Sequence, residues 1–224
     1  MDAPSQPTGP VAPPSASYAA SVPLGFLLHA VKSRLWYRRE LRVYVHALDD
    51  LSQVPRYDIF RRDRLDDLRY YERSSKEQAP AHLYRKAAEE RRAQGFHLYT
   101  FVQSGRLLHY GWLIERQTRG EDSWVEQVYF PPSETAVLFD HFTHPSARGR
   151  GLYTQALCSL LHEARDLARA RQAYVTVFGC NGPSRHVIEK LGFQHEGSLY
   201  KEKKLLWRTR YAMAGRGEFR TALL

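Results

Sequence analysis

Apolar residues recur at helical spacing over 24–39, where Leu24, Leu27, Leu28, Val31, Leu35 and Trp36 alternate with Lys32, Arg34, Arg38 and Arg39. That period predicts an amphipathic basic helix. The period then shortens: Leu41-Arg42-Val43-Tyr44-Val45-His46-Ala47-Leu48 alternates as a strand does. Segments 63–73 and 81–94, rich in Leu, Ala, Glu and Arg, predict two helices, the second stopped by Gly95. Strands are predicted over 96–102 and 107–114, joined by the hairpin connection Gln103-Ser104-Gly105-Arg106. After a polar loop, a short strand falls near 124–130 and a stronger one over 136–143. Leu152, Tyr153, Ala156, Leu157, Leu160, Leu161, Ala164 and Leu167 then mark one face of a helix. The strand at 173–178 follows that helix and is therefore expected to run parallel to 136–143. A short helix from Pro183 to Lys190, stopped by Gly192, and strands at 194–200 and 203–212 close the pattern.

Composition divides the chain into three parts. Residues 1–18 hold Pro4, Pro7, Pro10, Pro13 and Pro14 among small polar residues and predict a disordered tail. Residues 19–40 form the basic helical extension, read either as docked on the domain or as a peripheral contact with a membrane or protein partner. Residues 41–224 form one domain, since 224 residues at 43% hydrophobic suffice for a single core. The 33 basic against 24 acidic residues give a formal charge of +9, which favours an anionic partner. The basic residues are dispersed and no nucleic-acid-binding motif interrupts them, so nucleic acid is not expected as a partner. Two cysteines, Cys158 and Cys180, are too few for a disulfide framework or a cysteine-based zinc site, and a reducing cytoplasm fits. The start Met1-Asp2 lacks a secretory n-region, and the apolar stretch 22–31 is too short to span a bilayer.

The densest chemistry lies between the strand at 136–143 and Phe193. That strand runs into His144-Pro145-Ser146-Ala147-Arg148-Gly149-Arg150-Gly151 and then into a helix. A Gly-rich turn at a helix N-terminus lets backbone amides approach a phosphate, and the helix dipole favours the anion. The strand at 173–178 ends at Gly179-Cys180-Asn181-Gly182-Pro183-Ser184, a capped helix start.

These residues resemble the GNAT superfamily of acyl-coenzyme A transferases. Arg148-Gly149-Arg150-Gly151-Leu152-Tyr153 is similar to the family's motif A, Gln/Arg-x-x-Gly-x-Gly/Ala. Asn181-Gly182-Pro183-Ser184, followed by Glu189-Lys190-Leu191-Gly192-Phe193, resembles motif B, Asn-x-x-Ala-x-x-x-Tyr-Glu-Lys-Leu-Gly-Phe. The resemblance is strong over 136–195, extends to 41–115 through element order only, and excludes 1–40. It implies an α+β (α/β) fold with a mixed twisted sheet of about six to seven strands, helices on both faces and a splayed central parallel pair. It also implies transfer of an acetyl group from acetyl-coenzyme A to a primary amine, with no metal. By the resemblance, Arg148, Gly149, Arg150, Gly151 and Leu152 cradle the pyrophosphate with backbone N–H groups, Tyr153 lies near it among the cofactor-binding residues, and Phe142, Thr143 and His144 pair with the pantetheine through main chain. Asn181 and Ser184 approach the pantetheine or the thioester. Two positions depart from the pattern: Tyr153 replaces Gly or Ala and either points outward or stacks on the cofactor. Ile188 replaces the Tyr that in many members protonates the departing thiolate.

Aminolysis of a thioester needs a neutral amine, an oriented carbonyl and a stabilised oxyanion. Asp140 and His141 face opposite ways by strand alternation, so one of them meets the substrate. His141 is favoured as base for its near-neutral pKa, with Asp140 as the alternative base or ammonium anchor and Tyr200 as a substitute acid. His144 is expected to shape the turn and Cys180 to be a structural thiol. Glu126 and Glu134 are read as surface carboxylates that could bind a cationic acceptor, and Phe101, Tyr110 and Trp112 as sheet core or groove wall. The acceptor class expected is a small amine such as an amino sugar, amino acid or polyamine. A binding module without catalysis, and a transferase using another acyl donor or a protein amine, are the alternatives. A homodimer is compatible with the sequence.

Overall fold

A computed structural model describes residues 36–76, 78–205, 207–215 and 220–223. The strands are β1 (Trp36–Ala47), β2 (Arg61–Arg62), β3 (His97–Gln103), β4 (Arg106–Ile114), β5 (Gly120–Asp122), β6 (Gln127–Tyr129), β7 (Thr135–Thr143), β8 (Gln172–Phe178), β9 (Gln194–Lys204), β10 (Trp207–Ala214) and β11 (Thr221–Leu223). The helices are α1 (Ala81–Ala93), α2 (Leu152–Asp166) and α3 (Gly182–Lys190). The main sheet has the order β10-β9-β1-β8-β7-β4-β3-β2, and β5, β6 and β11 form a second, three-stranded sheet. The fold is the expected mixed α+β one, and among the described residues the main sheet counts eight strands beside the about six to seven expected.

The tail at 1–18 and the first part of the 19–40 helix lie outside the described residues. Residues 36–40 are described and belong to no helix, because Trp36 to Glu40 pair with Tyr200 to Lys204 of β9 and extend β1. The helix expected at 63–73 is reduced to a 3₁₀ turn at Leu65–Tyr70. Asp63, at φ 59, spends its carboxylate on the Leu98 N–H and on His97, so its side chain ties the chain to β3 instead of opening a helix. The strand near 124–130 is shortened likewise: Asp122 accepts from the N–H groups of Trp124 and Val125 and makes a turn there.

Alternation along the strands sorts the core into two faces. Leu98, Tyr110 and Trp112 pack with Tyr84 and Ala88 of α1. Their neighbours Tyr99 and Leu113 join Leu138 and Val175 on the opposite face, beneath Leu157, Leu160 and Leu161 of α2 and Ile188 of α3. The small sheet completes the α1 face, with Val125 and Tyr129 covering Leu41, Val137, Tyr174 and Leu199. Each fully buried Leu contributes about 1.5–3 kcal/mol of transfer free energy.

The parallel pair positions the site. β7 and β8 are paired from Thr135–Gln172 to Leu138–Val175 and no further. Beyond that point β7 continues against β4 as far as Thr143, and β8 against β1 as far as Phe178. The two strand edges that face each other are left open, and a wedge separates them.

Candidate active site

A bulge in β7 lines one wall of the wedge. Tyr110 of β4 stands opposite Phe142 and Trp112 opposite Phe139, so Asp140 and His141 together oppose the single residue Gly111. Asp140 absorbs the extra residue with a left-handed backbone, φ 48. Alternation is thereby reset. Phe139 and Asp140 both lie on the α1 face, whereas His141 turns toward α2. Gly111 is required for this, because a Cβ there would sit 2.3 Å from Nδ1 of His141.

Asp140 is ion-paired with Arg91 of α1 and accepts from the Tyr84 hydroxyl at 3.4 Å. Tyr84 in turn accepts from Trp112 Nε1 at 3.0 Å. Rings continue the wall: Tyr71 stacks on Tyr84 at 4.8 Å, Tyr84 lies 4.9 Å from Tyr110, and Tyr110 stacks on Phe142 at 5.4 Å. Desolvation by these walls raises the Asp140 pKa, against the opposing pull of Arg91 and Tyr84. The side chain is nevertheless 32% exposed, so the carboxylate is reachable from solvent.

Both ring nitrogens of His141 are buried without a hydrogen bond among the described residues. Burial lowers its pKa to about 4, so the ring is neutral at physiological pH. It lies 5.4 Å from the Tyr153 ring and 6.1 Å from His109. His109 is also held neutral by burial and by His141; its Nδ1 is 2.9 Å from Thr143 Oγ1 and its Nε2 has no partner among the described residues.

The turn after β7 has the form expected of an anion cradle. The His144 ring accepts from the Ser146 N–H at 3.2 Å and shapes the Pro145–Ala147 turn, as expected. Gly149 and Gly151 both adopt φ 75, a conformation costly for any residue with a Cβ. The helical ladder begins with the Gln155 N–H donating to the Gly151 carbonyl at 2.9 Å, and among the described residues the N–H groups of 149–154 donate to no backbone carbonyl. Space around Gly149 is open to 4 Å, and Arg148 and Arg150 are exposed beside it. Arg148 Nε also donates to the Thr143 carbonyl at 3.3 Å. Leu152 is buried, so only its main chain faces the turn. A depression of about 260 Å³ adjoins the turn, lined by Gln103, Ser104, Arg106, Leu108, Ser146 and Arg150.

Tyr153 is partly buried and packs against the core, and its hydroxyl accepts from Ser184 Oγ at 3.0 Å. Asn181 Oδ1 accepts from the Ser184 N–H at 3.2 Å and caps α3. The bond between Tyr153 and Ser184 thus joins the first turns of α2 and α3 across the wedge.

The remaining candidates lie elsewhere. Tyr200 on β9 is three strand spacings from β7, about 14 Å; its hydroxyl donates to Glu40 at 3.1 Å and its ring stacks on Tyr211. Its distance removes it from any direct contact with Asp140 or His141. Glu126 pairs with Lys201 and Glu134 with Arg171. Tyr110 and Trp112 are core, and Phe101 packs beside Leu108 and Leu152. Cys180 is exposed and Cys158 buried, both as free thiols. Among the described residues no three His, Cys, Asp or Glu side chains converge as metal ligands. Arg91, Tyr84 and Gly111 escaped sequence reasoning; a glycine inside a strand pattern was the one available signal, since it marks a bulge or a close approach.

Residues 56–194, more than half of the chain, match the family described as acetyltransferase (GNAT) domain. Among solved structures, the chain is similar to a conserved protein of unknown function from Staphylococcus epidermidis (TM-score 0.53, 11% identity, covering 81% of this chain and 68% of that one). It is also similar to a GNAT-family acetyltransferase from Colwellia psychrerythraea (TM-score 0.52, 15% identity, 81% and 62% covered). A third is a GCN5-related N-acetyltransferase from Sphaerobacter thermophilus (TM-score 0.50, 12% identity, 82% and 56% covered). The chain thus spans less than two thirds of the length of the latter two. At such identities these likenesses bear on the fold alone. No curated protein matches the chain. With its sheet order, its splayed parallel pair and the matched domain, the chain belongs to the GNAT acetyltransferase family.

Proposed function

We propose that this chain is a cytoplasmic N-acetyltransferase that moves the acetyl group of acetyl-coenzyme A to the primary amine of a small molecule by direct attack. The observation that carries the reading is the turn at Arg148–Gly151, where the unengaged N–H groups of 149–154 at the α2 N-terminus lie beside the open edges of β7 and β8. A helix N-terminus with unengaged amides suits a diphosphate. Arg148 and Arg150 add charge, and Arg106 and Arg150 flank the adjoining depression that would seat the nucleotide end. The open edges after Leu138 and Val175 offer unpaired N–H and C=O groups to the amides of a pantetheine arm. When bound, the coenzyme supplies an activated acyl group; the protein binds, orients and handles protons.

The residue facing the amine is Asp140 in this reading, and His141 yields that role. A buried imidazole with a pKa near 4 is a weak base. A carboxylate whose pKa is raised by desolvation, beside the rings of Tyr84, Tyr110 and Phe142, attracts an ammonium group and accepts its proton. Amino sugars, amino acids and polyamines present such a group.

The test is calorimetric titration with acetyl-coenzyme A, followed by thiol release across a panel of those amines. Gly151→Asp places a side chain at φ 75 and a negative charge against the diphosphate, and is expected to abolish binding. Unchanged affinity in that variant would remove the cradle. A second reading, a binding module without catalysis, draws support from Ile188, which is wholly buried and offers no proton from α3. Tight binding with no thiol release on any amine decides for it.

A further inference from the structure

An amine that displaces a thioester expels sulfur as a thiolate, and a proton supplied there is worth roughly 10²- to 10⁴-fold in rate. Most groups around the wedge cannot supply it. His141 and His109 are neutral and buried below the Tyr153 ring, and Asp140 lies on the opposite face. Ile188 is aliphatic and belongs to the core. Tyr153 differs from all of these. It rises from the first turn of α2, next to the Gly149–Gly151 turn, and its hydroxyl reaches the first turn of α3 across the gap where β7 and β8 have separated. The hydroxyl therefore stands between the first turns of α2 and α3, beside the strand ends that no longer pair. Ser184 is the donor in the bond between them, at 3.0 Å, so the phenol keeps its own proton to give.

We propose that Tyr153 is the proton donor to the departing thiolate; the assignment rests on the acetyltransferase reading above. The amine nitrogen forms the new C–N bond, the C–S bond breaks with its electron pair on sulfur, and the Tyr153 O–H passes its proton to that sulfur. The proton shed by the amine returns through water to the tyrosinate, so charge and protons balance. Ser184 stabilises the tyrosinate while it lasts, because its hydroxyl donates to the phenolic oxygen. Burial pushes the Tyr153 pKa up to about 12, which keeps the phenol protonated before turnover.

Tyr153→Phe deletes the hydroxyl and keeps the ring that packs on His141. In acetyl transfer the variant is expected to lose about 10²-fold or more in kcat, with KM for acetyl-coenzyme A changed less than about threefold. A second readout needs no turnover: calorimetry at alkaline pH compares coenzyme A with desulfo-coenzyme A. The unaltered protein is expected to prefer the thiol by about tenfold, and Tyr153→Phe to lose that preference. Ser184→Ala, which keeps the phenol, is expected to lose about tenfold in kcat. Wild-type kcat together with a preserved thiol preference in Tyr153→Phe overturns the assignment alone. A wild-type protein that binds neither ligand and releases no thiol overturns the acetyltransferase reading and this assignment together.

Discussion

Asp140 and His141 set out what single residues can and cannot disclose. Their adjacency on a strand was enough to send them to opposite faces. Which one meets α1 depended on the left-handed backbone at Asp140, and that in turn on the absence of a side chain at Gly111. A carboxylate pulled into the bulge meets Arg91 and Tyr84, residues about fifty positions earlier, so no local pattern could have announced the pairing. Burial of His141 carries a consequence for stability. Its pKa is about 4 when folded against 6.5 as the ordinary value, so the unfolded chain binds the extra proton between those pH values. The stability tied to the neutral ring is complete above pH 6.5 and is lost as pH falls toward 4, on the order of 3 kcal/mol in all. Denaturant titrations over that range should show a shallower loss in His141→Phe, with His109 retaining part of the slope. Superimposable pH profiles for the two proteins would contradict the burial of that ring.

Elements were legible where their period was long and unbroken. α1, α2 and α3 and strands β3, β4, β7, β8, β9 and β10 fall close to their expected positions. The two-residue β2 and three-residue β11 carry no period to detect. The spacing of Trp36 assigns residues 36–40 to the expected basic helix, yet their backbone groups find partners in β9. Tertiary pairing overrides local propensity there. The match of α2 to its expected face has a measurable cost attached: Leu161 is wholly buried between sheet and helix, so Leu161→Ala should destabilise the domain by about 2–5 kcal/mol, seen as a lower Tm. A loss below about 1 kcal/mol would mean that the α2 face is not packed as described. The α2–α3 contact also joins the two departures in the motifs. A phenol at 153 and an aliphatic side chain at 188 occupy adjoining parts of one interface, where Ser184 and Ile188 follow each other by one helical turn.

At the scale of the molecule, β1 is the least local feature. The first described strand enters the middle of the sheet, between β8 and β9, and closes a core shared with residues more than a hundred positions away. The formal charge of +9 acts at this scale too. Coenzyme affinity should weaken roughly severalfold from low to high ionic strength, while the affinity for uncharged pantetheine stays level. Equal salt dependence for the two ligands would separate the charge from the cradle. By itself the sequence determined the strand–turn–helix at 136–167, the capped helix after 178 and the resemblance they carry, because period, glycine position and capping are written in neighbouring residues. Only the tertiary structure decided that β7 bulges at Asp140, that Tyr153 crosses to Ser184 and that Tyr200 stands apart. Those outcomes follow from which distant backbone edges and side chains share one volume, and packing in three dimensions settles that.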